Sequence, residues 1–111
     1  MAARSTTLIG SKDAENAQTT QYTAVGLVAI IDKFTATNHS AVAATLSVNL
    51  VPAVGSAGPT NLVVKEKSIA AGDSYTFPEI VGHTLAPGDA ISTFASAAGA
   101  IAIRCSGREI T

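Results

Sequence analysis

Ile30-Ile31-Asp32-Lys33-Phe34-Thr35-Ala36-Thr37-Asn38, followed by Thr45-Leu46-Ser47-Val48-Asn49-Leu50-Val51-Pro52, decides the fold of this chain. In the second stretch Leu46, Val48 and Leu50 alternate with Thr45, Ser47 and Asn49, so one face is apolar and the other carries hydroxyls and amides. A period of two marks a strand with one buried face. Ile101, Ile103 and Cys105 alternate with Ala102, Arg104 and Ser106 in the same manner. Tyr75 and Phe77 share a face in a further segment, and Ile91-Ser92-Thr93-Phe94 lies in another. The run Leu27-Val28-Ala29-Ile30-Ile31 is apolar throughout, as in a strand buried on both faces. Its β-branching and the flanking Gly26 favour a strand over a helix.

Turn chemistry separates these segments. Pro52-Ala53-Val54-Gly55-Ser56-Ala57-Gly58-Pro59 is a small-residue loop that no regular element holds. A Gly-Asp pair then introduces a new strand twice, at Gly72-Asp73 and at Gly88-Asp89. Pro87-Gly88 suits a type II turn, proline setting one φ and glycine accepting the positive φ that follows. Short strands at close spacing predict an all-β fold, a single β-sandwich over residues 21–111. Strand pairing is not visible in one sequence, so jelly-roll and immunoglobulin-like orders both fit. Residues 1–20 are polar and lack alternation around Ser11-Lys12-Asp13-Ala14-Glu15, which predicts an extended arm outside the sandwich.

Composition narrows the function classes. The chain has 111 residues, the size of one domain. Charged residues make up 14%, against about 25% in typical globular proteins, and the net charge is -1. A surface built from Ser, Thr, Asn, Ala and Gly resists association poorly, which favours a subunit covered by partners, copies of itself included. The seven Lys and Arg residues are scattered, whereas nucleic acid requires clustered cations. Lys65 and Lys67 share a face of a regular strand around Glu66 and read as a solvated edge. The N-terminus lacks the apolar core of a signal peptide, and no apolar run approaches the ~20 residues of a membrane span. Cys105 is the single cysteine, so no internal disulfide forms, in keeping with folding in a reducing cytoplasm.

Candidates for chemistry are few. His39 and His83 have no second His or Cys at metal-ligand spacing, so no metal or other cofactor is expected. Asp73 and Asp89 occupy equivalent turn positions, where aspartate hydrogen-bonds its own backbone. Cys105 alternates with isoleucines and reads as a small buried hydrophobe rather than a nucleophile. No nucleophile elbow or phosphate-cradling glycine loop is present, so an enzyme is not expected. Asn38-His39-Ser40 matches the glycosylation pattern by chance. Tyr22 and Tyr75 are the only tyrosines that could serve a sugar-binding sandwich as stacking platforms.

Ile30 to Pro52, Ser74 to His83, Pro87 to Ser92 and Ile103 to Thr111 resemble stretches of small structural proteins encoded by tailed bacteriophages. In size and β character the chain is similar to the cement, or decoration, proteins that bind the outside of phage heads. The resemblance implies a jelly-roll-like domain that clamps neighbouring subunits of the major capsid protein. It implies a place on the capsid exterior, after assembly in the host cytoplasm. A neck or tail component is the nearest rival. The family carries no catalytic residues to transfer. The expected contacts are Arg4, Lys12, Asp13 and Glu15 of the arm, together with Arg104, Arg108 and Glu109, because arginine suits bidentate pairing and is enriched at interfaces.

Overall fold

The computed structural model describes residues 2–111. Its strands are β1 (Ala3–Asp13), β2 (Thr19–Thr23), β3 (Val28–Asn38), β4 (Ala44–Val51), β5 (Leu62–Ile69), β6 (Ser74–Tyr75), β7 (Thr84–Leu85), β8 (Ala90–Ala95) and β9 (Ile101–Ile110). A single 3-10 turn, Pro59–Asn61, leads into β5. The fold is all-β, and two antiparallel sheets pack together as a sandwich. The first sheet runs β1-β9-β3-β6, with β7 also paired to β3; the second runs β2-β8-β4-β5.

The predicted alternation positions the core. Leu46 and Val48 of β4, Ile91 of β8, Ile31 and Phe34 of β3, and Ile101, Ile103 and Cys105 of β9 are all buried between the sheets. Each large aliphatic or aromatic side chain removed from water in this way contributes about 1.5–3 kcal/mol. Phe34 meets Phe77 edge to face at 5.1 Å, and Phe77 meets Tyr75 in the same manner at 4.8 Å. β6 and β7 are short because the chain between them leaves the sheet to drop Phe77 and Ile80 into the core. Leu27 to Ile31 departs from the expected double burial: Ala29 and Ile31 are buried, while Val28 and Ile30 are only partly covered.

Both Gly-Asp turns form as the sequence predicts, but only Asp89 bonds its own backbone through its side chain; among the described residues the Asp73 carboxylate accepts no hydrogen bond. Asp73 N–H donates to the Ala70 carbonyl at 3.0 Å and Asp89 N–H to the Ala86 carbonyl at 2.9 Å. Gly72 and Gly88 take φ of 80° and 93°, the position that type II turns reserve for glycine. Asp89 does more than cap its own turn. Its Oδ2 accepts Ala86 N–H and its Oδ1 accepts Ala53 N–H, each at 2.9 Å, while its carbonyl accepts Ala24 N–H. One aspartate thereby fastens three loops at the same end of the sandwich.

Two expectations require correction. Most of residues 1–20 is not an arm outside the sandwich: β1 is an edge strand paired to β9 from Ala3↔Ile110 to Asp13↔Ala102. Leu8 and Ile9 are both buried because a register shift between Thr7 and Ile9 breaks the alternation. Lys65 and Lys67 do not share a face, because a bulge sets Lys65 and Glu66 opposite Ser47 alone. Glu66 sits at φ 49°, and Lys67 turns across the sandwich edge to place Nζ 4.3 Å above the Tyr75 ring.

Candidate functional site

β9 is the axis of the candidate surface. Its inward positions, Ile101, Ile103, Cys105 and Gly107, enter the core, so Arg104 and Arg108 stand on the solvent side with β1 on one flank and β3 on the other. Arg108 reaches β3, where Nη2 donates to Asp32 Oδ1 at 2.9 Å and Nε to Oδ2 at 3.0 Å. This two-pronged geometry holds the guanidinium in one orientation and raises its pKa further. Arg104 turns to β1, donating to Ser11 Oγ at 3.0 Å and to Thr7 Oγ1 at 3.4 Å. Around Arg104 the face carries hydroxyls, while Ile30 lies opposite Arg108. Thr35 lies opposite Arg104, and the Thr37 hydroxyl meets that of Ser74 at 2.8 Å.

The remaining predicted residues flank this face along β1. Arg4 stands opposite Glu109 in the register and donates to Oε1 at 2.9 Å, while Tyr22 of the second sheet donates its hydroxyl to Oε2 at 2.6 Å. Glu109 is held below the usual carboxylate range, first by Tyr22 and then by Arg4. Burial, and then the Glu109 carboxylate, push the Tyr22 hydroxyl well up. At the other end of β1, Lys12 Nζ donates to Glu15 Oε2 at 2.8 Å and Gln21 to Glu15 Oε1 at 2.9 Å. Lys12 and then Gln21 lower the Glu15 carboxyl to about 2. Asp13 Oδ1 lies 2.7 Å from His39 Nε2. Arg104 and Arg108 thus share the outer face of the first sheet, whereas Glu109, on the inward parity of Cys105 and Gly107, meets Arg4 and Tyr22 at the edge between the sheets, and Lys12, Asp13 and Glu15 lie at the other end of β1. Exposed pairs of this kind add little stability; their effect is to fix side-chain positions.

Neither tyrosine offers a bare ring. Tyr22 is bound to Glu109, and Tyr75, bonded to Glu79 at 2.8 Å, lies between Lys67 and Phe77. Cys105 is buried, and burial together with the Asp32 charge pushes its thiol up to about 12. Among the described residues, no hydroxyl or thiol is hydrogen-bonded to His39 or His83, and no group of three His, Cys, Asp or Glu side chains could hold a metal ion. Among the described residues, no helix is long and apolar enough to cross a membrane.

A second surface feature escaped the sequence reading. Phe94 faces outward from β8 opposite Ser47, 43% exposed, on the floor of a groove of about 380 Å³. Its signal was present: in Ile91-Ser92-Thr93-Phe94 the ring occupies the same parity as Ser92, away from Ile91. Comparison of the chain with protein families, curated proteins and solved structures returns no match.

Proposed function

We propose that this domain is a capsid decoration protein, which binds the outside of a phage head and clamps neighbouring major capsid subunits. One observation carries the reading: on the outer face of the first sheet, where β1 from one end of the chain pairs with β9 from the other, Arg104 and Arg108 are held in place by Ser11 and Asp32. A pre-ordered face loses little side-chain entropy on docking. The strand orders β1-β9-β3-β6 and β2-β8-β4-β5 support the finer jelly-roll reading, since they are what two Greek keys folded across two four-stranded sheets produce when β6 and β7 share one place. The resemblance of the Ile30–Pro52 and Ile103–Thr111 stretches to small phage structural proteins supports the virion setting and the capsid exterior.

The mechanism is linkage. A protein that binds the assembled shell but not its separated subunits stabilises the shell by mass action, and bridging several subunits adds avidity. Self-association of copies on the shell fits the weakly charged surface. The test is to mix the purified protein with phage heads lacking it, sediment them, and count the copies bound per head. Binding near the copy number of the shell protein supports decoration. A few copies per particle support the neck or tail reading, and no binding sinks both. Replacing Arg104 and Arg108 together by Ala is expected to weaken head binding at unchanged melting temperature.

A further inference from the structure

We propose that the groove over Phe94 is a binding site for a neutral saccharide. Its floor is the solvent face of the second sheet, where Ser47 of β4 lies opposite Phe94 of β8. One wall is the bulge of β5, which turns Lys65 and Glu66 together toward the groove. The far end is formed by Gln18, from the link between β1 and β2.

The wall and the floor are built rigidly. Asn61 Oδ1 accepts Gly58 N–H at 3.1 Å and Asn49 Nδ2 at 2.7 Å, fastening the 52–58 loop to β4. The bulge is held by Glu66 N–H donating to Ser47 Oγ at 2.8 Å. Glu66 keeps its positive φ there, a conformation that costs free energy and that clusters at binding sites.

The chemistry of the lining selects the ligand. Ser47 accepts from Glu66 and so keeps its own hydroxyl proton to donate. Gln18 commits Nε2 to Ser92 Oγ at 2.7 Å, and its Oε1 has no partner among the described residues. Lys65 and Glu66 take no ion pair among the described residues, unlike Arg4, Lys12 and Arg108 on the first sheet. Two donors and two acceptors therefore surround a flat apolar ring, and their formal charges cancel. A sugar matches this pattern: one apolar C–H face to lie on Phe94, hydroxyls around its rim, and no charge. A phosphate would meet the Glu66 carboxylate, and a wholly apolar ligand would leave the polar rim unpaired. The volume lies within the range of small-ligand sites. The proposal stands apart from the decoration reading, since a protein in free solution would carry the same groove.

The test is a titration of the isotope-labelled full chain with D-glucose, D-galactose, D-mannose, L-rhamnose and N-acetyl-D-glucosamine in turn, at millimolar concentrations, followed by amide NMR shifts. At least one sugar is expected to move the amides of Ser47, Lys65, Glu66 and Phe94. Phe94→Ala, an exposed position, is expected to weaken that binding about tenfold, the loss of one stacked ring. Phe94→Tyr should retain it, and Lys65→Ala gives a second variant outside the core that should weaken it. No shift with any of the five sugars overturns the proposal. So do shifts confined to Tyr22 or Tyr75, undiminished binding by Phe94→Ala, or a response to uridine in place of the sugars.

Discussion

The side-chain amide of Asn38 joins the two sheets: its Nδ2 donates to the Ile69 carbonyl at 2.8 Å from a fully buried position at the end of β3. The same nitrogen donates to the Val42 carbonyl at 2.8 Å, and Oδ1 accepts from Ser40 N–H at 2.9 Å and from its hydroxyl at 2.7 Å. Every bond the amide can make is therefore used. Asn38→Leu keeps the branched shape and strands the Ile69 carbonyl, so it should cost about 2–3 kcal/mol in urea denaturation. A loss under about 0.5 kcal/mol would show that the carbonyls find other partners. The same bonds make Asn38 unavailable as a glycan acceptor in the folded protein.

Gly107 admits no side chain. A Cβ there would run into the Ile30 carbonyl oxygen and lie 2.8 Å from Leu8 Cδ1. Backbone on one side cannot yield without parting β9 from β3. Gly107→Ala should therefore destabilise by about 3 kcal/mol or more, at the upper end of overpacking costs. Gly10→Ala is the matched control, because nothing lies within 4 Å of a Cβ at that position. Equal melting temperatures for the two variants would contradict the packing described.

Acid should loosen the β1–β2 link. The folded Glu15 carboxyl sits at about 2, against an ordinary 4.5, so folding favours its ionised form. That contribution is complete above about pH 4.5 and is lost as the pH falls through about 2. Glu15 is 42% exposed in its side chain, so solvent screening keeps the effect small. Thermal melts from pH 6 down to pH 2, as rough bounds of the linkage window, should show the melting temperature of Glu15→Gln falling less steeply than that of the parent. Parallel curves would remove Glu15 from the account.

Asp89→Ala should loosen the 52–58 loop and its own 86–89 turn together, while its backbone carbonyl still holds Ala24. Two backbone amides lose a charged acceptor, a change of about 2 kcal/mol in stability. Hydrogen exchange is expected to quicken at Ala53 and Ala86, whose N–H groups the carboxylate accepts. Asp73→Ala should leave stability nearly unchanged, because no hydrogen bond holds that carboxylate among the described residues. If the two variants behave alike, Asp89 is only a turn residue.

Sequence and structure agree where burial is one-sided. Thr45–Val48 and Ile101–Ser106 show their alternation because the inward positions meet core and the outward ones face solvent, whereas at the end of β4 Asn49 is buried and Leu50 only half-covered. They part company at bulges. Leu8-Ile9 and Lys65-Glu66 each place adjacent residues against a single partner position, and a two-residue period cannot show an insertion that only the neighbouring strand defines. The candidate surface was legible as residue types and not as a place. Arg4 and Glu109 are 105 positions apart and meet only through the β1–β9 register. Phe94 was legible by its parity alone; the groove around it needed the 52–58 loop, whose path over the sheet depends on Asn49 and Asn61.

The place of β9 also sets the order in which the molecule can assemble. It is the last strand in the chain and lies between β1 and β3, which do not pair with each other. As the chain is synthesised, the second sheet can zip from β4 and β5 onward, while β1 and β3 wait with open edges until residues 101–110 emerge. Pairings this distant in sequence close slowly, on the order of milliseconds to seconds. Until then Leu8, Ile31 and Phe34 lack their cover, and the half-made chain is exposed to pairing with its neighbours on the polysome.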